Sequence, residues 1–304
     1  MEDRTFGFLR TGDGIRLRYG WWPCSKGIRR GTVVVLAGRT EFMEKYLDTI
    51  GKLNARGLEV FGLDWRGQGL SDRLLTDPTK GYIRTYDQYV SDLRFFLKKI
   101  VNPRCTSAPM VLAHSMGANI FMHYLHRWPR GIDRGVIISP MIDIRTDPLP
   151  ASAARLMCRM MVGMGQGRKN IPSLKRNDSF RRSFTGNWLT HDRQRFECVQ
   201  RLLQDKPRLG VISVTFSWLN ATFNAIDGLH QPGFAQSIGV PMLVVAAGKD
   251  RVVSNRAILK FAAQLAEHRL LWIAGAHHEL LQELDGFQAR FWHAFDRFVG
   301  IDAS

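Results

Sequence analysis

Long apolar runs are missing from this 304-residue sequence, and none approaches the roughly 18 residues a membrane-spanning helix needs. Met1 to Arg30 carries Glu2, Asp3, Arg4 and Arg10 with no apolar core segment, so neither a signal peptide nor an anchor is expected there. A cytoplasmic protein is the default expectation. Cysteine is scarce: Cys24, Cys105, Cys158 and Cys198 lie far apart with no CxxC pairing, which argues against a zinc site and against a disulfide framework. Acidic residues are few as well, 27 against 43 Lys and Arg, for a net charge of +16. Such a surface attracts polyanions, whether nucleic acid, an anionic membrane or negatively charged substrates. Repeats and low-complexity tracts are also missing, which excludes a solenoid and a disordered chain.

What is present is an alternation. Phe6 to Arg10 and Ile15 to Trp22 are joined by Thr11-Gly12-Asp13-Gly14, a hairpin signal, and predict an N-terminal antiparallel pair. Thr32 to Leu36 is a β-branched run of the kind buried on both faces of a parallel sheet. A helix is expected over Glu44 to Arg56, a strand over Val60 to Leu63, a helix over Asp87 to Val101, then a strand over Met110 to Ala113 and a helix over Ser115 to Trp128. Gly135 to Ser139 reads as a further strand. After an interruption the pattern resumes with a strand over Val240 to Ala246, a helix over Ser254 to Ala266, a strand over Arg269 to Ile273 and a closing helix over Glu283 to Val299. Strands alternating with helices in this way predict an α/β fold, a doubly wound, mostly parallel sheet.

The interruption is compositionally distinct. From Arg145 to Gly210 no comparable strand is found, only helical pieces around Ala151 to Met161 and Arg193 to Leu203. This stretch holds 14 Lys and Arg against 5 Asp and Glu, an excess of 9 that is over half that of the whole chain. The expected organisation is therefore a core of residues 1–142 and 236–304, interrupted at 143–235 by a basic helical cap.

In open parallel sheets the functional groups gather beyond the carboxyl ends of the strands. Three side chains there form a chemical set. Ser115 stands in Ala113-His114-Ser115-Met116-Gly117, where a strand meets a helix, the pattern of a nucleophile elbow with its first glycine replaced by alanine. A serine needs an imidazole to take its proton, and the imidazole needs a carboxylate to fix its tautomer and stabilise its charge. Asp250, in Gly248-Lys249-Asp250, and the adjacent His277 and His278 follow later strands, in the order serine, acid, base. Either histidine satisfies the chemistry. His114 points the wrong way to deprotonate Ser115 and reads as packing or a supporting contact. For the oxyanion the expected donors are the backbone N–H groups of Met116 and of Arg39, the latter just past the Thr32 to Leu36 strand.

Taken together, Arg39-Thr40-Glu41-Phe42, Asp64-Trp65-Arg66-Gly67-Gln68-Gly69-Leu70-Ser71, the Ser115 elbow, Gly248-Lys249-Asp250 and Gly275-Ala276-His277-His278-Glu279 resemble one branch of the α/β hydrolases. It is the bacterial lysophospholipase and monoacylglycerol lipase branch, grouped as serine aminopeptidase-like. The matches span nearly the whole chain in order. The resemblance implies His278 as the base, because the family's histidine directly precedes Glu in G-x-x-H-E. Two departures stand out: many members have His-Gly where this chain has Ala37-Gly38, and the elbow has Ala113.

The implied activity is hydrolysis of a carboxylic ester of an amphiphilic substrate, a lysophospholipid or monoacylglycerol, through an acyl-enzyme on Ser115. A thioesterase or peptidase on the same residues is one alternative. A non-catalytic scaffold binding polyanions through its basic cap is another. No cofactor or metal is expected. In the cap, Met157, Met160, Met161 and Met164 are read as packing against the substrate's acyl chain, with ordinary helix packing as the alternative, and the cap arginines as meeting a phosphate or, peripherally, an anionic membrane surface. No RNA-binding signature accompanies the charge, and no obligate protein partner is inferred.

Overall fold

Glycine 14 lets the chain turn back at φ 85°, and the Thr11–Gly14 turn joins two antiparallel strands, β1 (Thr5–Arg10) and β2 (Arg16–Trp22). The computed structural model describes residues 5–24, 29–172 and 183–301; residues 173–182 of the basic stretch lie outside the described residues. The valine run forms β3 (Gly31–Leu36). The helix expected from Glu44 begins instead as a tight turn, Met43–Tyr46, before α1 (Leu47–Ala55). Then follow β4 (Leu58–Leu63), the two-residue β5 (Lys80–Gly81), α2 (Tyr86–Phe96), β6 (Met110–His114), α3 (Met116–Arg127) and β7 (Gly135–Ile138). α2 stops short of the expected Val101 because its last turn, Leu97–Val101, widens.

Between β7 and the next long strand come α4 (Ala151–Gly163), α5 (Arg193–Asp205), the short β8 (Ser213–Val214) and α6 (Phe216–Leu229). The chain closes with β9 (Met242–Ala247), α7 (Asn255–Ala262), β10 (His268–Ile273) and α8 (Asp285–Val299). The main sheet has eight strands in the order β1-β2-β4-β3-β6-β7-β9-β10. β2 meets β4 antiparallel, and from β4 to β10 every pairing is parallel.

Successive side chains on a strand point to opposite faces, and both faces are apolar here. Val34 and Leu36 of β3 pack with helices α2, α3, α6 and α7 on one side, while Val33 and Val35 pack with α1 and α8 on the other. The sheet is thus doubly wound. α6 has no counterpart among the expected helices. Trp218, Ala221, Ala225 and Leu229 join the main core and Phe216 and Phe223 join a smaller cluster with α4, so α6 is apolar around most of its circumference. A helix of that kind shows no amphipathic stripe. No helix among the described residues is long and apolar enough to cross a membrane.

Candidate active site

All five residues of β6 are buried, and α3 begins one residue after it ends. Ser115 occupies that single residue with φ 51° and ψ −113°, a strained conformation for a residue with a Cβ. The surroundings hold it there. Its N–H donates to the carbonyl of Ile138 (3.0 Å) and its carbonyl accepts from the N–H of Met141 (3.1 Å). Gly117 is required by contact: a Cβ there would lie 2.5 Å from the Leu36 carbonyl oxygen and 2.6 Å from that of Ala37. At Ala113 the methyl group is accommodated within the core.

The turn after β9 and the loop after β10 bring Asp250 and His278 to this point. His278 Nε2 lies 3.1 Å from Ser115 Oγ, and His278 Nδ1 lies 2.7 Å from Asp250 Oδ2. The other oxygen of Asp250 accepts from the N–H groups of Val252 (2.8 Å) and Val253 (3.0 Å), which sets the carboxylate's direction. Burial raises the cost of its charge, but His278 and the two N–H groups outweigh that and hold its pKa below the ordinary carboxylate value. All three residues are buried. Of the two adjacent histidines, His278 faces Ser115, whereas His277 turns away and stacks on His191 with ring centroids 3.8 Å apart.

The loop after β3 is clamped from several directions. Trp65 Nε1 donates to the Ala37 carbonyl (2.8 Å), Gln68 Nε2 donates to the Gly38 carbonyl (3.2 Å), and Gln68 Oε1 accepts from the Thr40 N–H (2.7 Å). The Gly38 N–H donates to Glu41 Oε2. The N–H groups on either side of Arg39 are therefore committed to side chains of the protein. The guanidinium of Arg39 donates to the Ser213 carbonyl (3.2 Å) and lies 4.8 Å from the Trp218 ring. The motif Asp64 to Ser71 supplies this scaffold. Asp64 accepts from the N–H groups of Met43 (3.0 Å) and Leu70 (2.9 Å), and Gly69, at φ 51°, leaves room for its carboxylate, which a Cβ would meet at 2.2 Å. Met116 is the first residue of α3, where an N–H has no acceptor within the helix.

The family described as serine aminopeptidase, S33, matches residues 27–285. The chain belongs to this family. It is 32% identical over 283 residues to lysophospholipase L2 of Escherichia coli strain K12, covering 88% of this chain and 79% of that one. It is 23% identical over 275 residues to a monoacylglycerol lipase of Mycolicibacterium smegmatis, covering 89% and 88%. Its fold superposes on a soluble variant of Saccharomyces cerevisiae monoglyceride lipase, solved with a substrate analog, with a TM-score of 0.78 at 17% identity over 99% of this chain and 97% of that one. The expected α/β-hydrolase fold is thereby borne out.

As a member of this family the chain supports its serine with a buried polar network that motif reading did not find. Glu41 is buried, and its carboxylate accepts from the Gly38 N–H, Tyr46 Oη (2.6 Å), Lys45 Nζ (2.7 Å) and His114 Nδ1 (3.0 Å). Lys45 also pairs with Glu279 at 2.7 Å. His114 Nε2 lies 3.1 Å from the carbonyl oxygen of His278. Carboxylate and carbonyl oxygens only accept, so these two contacts favour a ring in which both nitrogens donate, the imidazolium form. Burial works against that charge, but Glu41 outweighs it and holds the His114 pKa above its ordinary value. The expectation that His114 plays a supporting part is met, with a charge that sequence reading did not foresee.

The methionines of the basic stretch divide. Met157 and Met161 turn inward against Ala154, Cys158, Phe216 and Phe223 as ordinary helix packing. Met160 and Met164 point outward, with 55% and 59% exposure, as do Leu149 and Leu156. Contact with an acyl chain, expected of all four, is left without support at the two inward-facing residues.

Proposed function

We propose that this protein hydrolyses carboxylic esters of lipids, a lysophospholipid or a monoacylglycerol, through an acyl-enzyme on Ser115. The observation that carries the reading is the continuous hydrogen-bonded line from Ser115 Oγ through His278 to Asp250, in a family whose relatives include a lysophospholipase and a monoacylglycerol lipase. As Ser115 Oγ attacks the ester carbonyl, His278 Nε2 takes its proton and Asp250 stabilises the imidazolium. The carbonyl oxygen becomes an oxyanion facing the N–H groups of Arg39 and Met116. His278 then returns the proton to the leaving alcohol as the C–O bond breaks. A water deprotonated by His278 releases the fatty acid and restores Ser115.

In this reading residues 143–235 act as a cap over the site and meet the membrane surface that holds the substrate. α4 presents Leu156 and Met160 to solvent, with exposed Leu149 just before it and Met164 just after it, and Arg159, Arg168 and Lys169 are exposed in the same stretch. Apolar and cationic groups side by side suit an anionic bilayer interface.

Covalent labelling by a fluorophosphonate probe, abolished in Ser115→Ala, tests the nucleophile. Release of fatty acid from lysophosphatidylcholine and from monoacylglycerol, measured beside short p-nitrophenyl esters, tests the substrate class. No labelling of folded protein, or turnover of short esters alone, would overturn the reading.

A further inference from the structure

Outside the Ser115 site, three metal-ligand side chains converge from separated parts of the chain. His191 lies just before α5, His277 just before the base, and Glu283 just before α8, and one donor atom of each falls within 4.8 Å of the other two. Glu283 is fully buried, and its position is fixed. Its Oε1 accepts from the N–H of His277 (2.8 Å) and from His191 Nδ1 (2.7 Å), and its Oε2 accepts from the N–H of His191 (3.0 Å) and of Leu284 (3.1 Å). The side chain of His191 keeps 33% of its exposure. The Nδ1 of His277 is shielded from water and meets no hydrogen-bond partner among the described residues. Such an atom calls for an explanation, and hydrolysis at Ser115 makes no use of it.

We propose that His191, His277 and Glu283 form a binding site for a divalent transition-metal ion, with Zn²⁺ the best match. Two imidazoles and one carboxylate are a donor set that zinc takes in three-ligand sites, leaving a fourth position for water. Calcium and magnesium take oxygen donors and do not match two imidazoles. The ion takes the Nδ1 position now held by the proton between His191 and Glu283, and the neutral imidazole carries its proton on Nε2 instead. It also gives His277 Nδ1 a partner. The stacked rings lie in planes inclined at only 22°, and binding turns a ring toward the ion while Glu283 stays fixed.

The site joins the cap to the loop of the base. The same two segments already share the hydrogen bonds Glu279 N–H to Leu189 O (2.8 Å) and Thr190 Oγ1 to Gln282 O (2.6 Å). Zinc adds coordinate bonds to that seam and fastens residues 189–192 to residues 277–283.

Isothermal titration of the metal-stripped full chain with ZnCl₂ tests the proposal. The expected result is one ion per chain with micromolar or tighter affinity, weakened about tenfold or more in His191→Ala and in His277→Ala. CaCl₂ and MgCl₂ give no saturable heat. Fluorophosphonate labelling of both variants shows that they are folded, and zinc uptake by Ser115→Ala keeps this test separate from that of the hydrolase reading. No saturable zinc uptake by the wild type, or equal affinity in wild type and both folded variants, would overturn it.

Discussion

One ring, that of His114, spans the gap between the Glu41 carboxylate (3.0 Å) and the His278 carbonyl (3.1 Å), so the loop that carries Arg39 and the loop that carries His278 share a support. Glu41 holds the Gly38 N–H from the other side. A change at His114 is therefore felt at both loops, although neither ring nitrogen touches Ser115.

His114→Phe tests that coupling. The variant leaves Glu41 with one ionic partner fewer in a buried site, and an unsatisfied buried group costs about 1–3 kcal/mol, more where a charge is involved. Misplacement of the two loops lowers kcat by up to about 10²-fold. The pH dependence has a definite sign. The folded pKa of His114 lies above its unfolded value of about 6.5, so its contribution to stability is complete below pH 6.5 and is lost as pH rises through the folded value. The Tm gap between wild type and variant narrows on the alkaline side. A gap that widens with pH speaks against an imidazolium at this position.

Asp250→Asn keeps the shape of the acid and removes its charge. The amide favours the wrong tautomer of His278, and kcat falls by about 10⁴-fold, as in other serine triads. The folded pKa of Asp250 is depressed, so the stability it supplies is present above the unfolded value of about 3.9 and is lost as pH falls through the lower folded value. Thermal unfolding from pH 2 to pH 5 shows a flatter acid limb in the variant. Activity within tenfold of wild type would mean that another residue orients the base.

The two small positions of the elbow are predicted to respond unequally. Gly117→Ala sets a methyl group against two backbone oxygens at 2.5 and 2.6 Å, and backbone cannot swing aside as a side chain can. Overpacking of this kind costs about 1–3 kcal/mol, and fluorophosphonate labelling drops with it as Ser115 shifts. Ala113→Gly restores the usual elbow glycine at a site where the methyl group already fits, and destabilises by only about 0.5–1 kcal/mol through strand entropy. Labelling rates and urea midpoints of the pair measure this. Equal loss in both variants contradicts the contact argument.

Local pattern made much of this legible. The β-branched strands, the small residues around Ser115 and the order of Ser115, Asp250 and His278 all sit in contiguous stretches, where period and spacing carry the signal. What stayed hidden depends on distance in sequence. His114 and Glu41 lie 73 residues apart, and nothing in the sequence linked Glu41, in the loop after the Thr32 to Leu36 strand, or Lys45, at the start of the expected helix, to His114. His191 had no chemical context until the fold set it against His277 and Glu283. α6 was hidden because burial on nearly all sides erases the polar face that marks a helix. The choice between His277 and His278 needed the family pattern, since the two differ only in the direction the loop gives them.

The exposed pair on α4 yields the last prediction. Leu156 and Met160 stand one turn apart with 59% and 55% exposure. If the cap rests on lipid, both side chains leave water on binding, and fully burying such a side chain contributes about 1.5–3 kcal/mol. A Leu156→Ser, Met160→Ser double variant then binds vesicles more weakly by at least about tenfold, with short-ester turnover as the control for an intact site. Arg159→Glu acts through charge instead: losing a cation near an anionic leaflet costs about 1 kcal/mol, and reversing it costs more. Salt separates the two effects, because it screens the arginine while leaving the apolar contact in place. Cosedimentation with phosphatidylglycerol and phosphatidylcholine vesicles at low and high salt reads both. Equal partitioning of the wild type onto the two lipids at low salt would eliminate the charge contribution, and unchanged binding by the double variant would eliminate the α4 face.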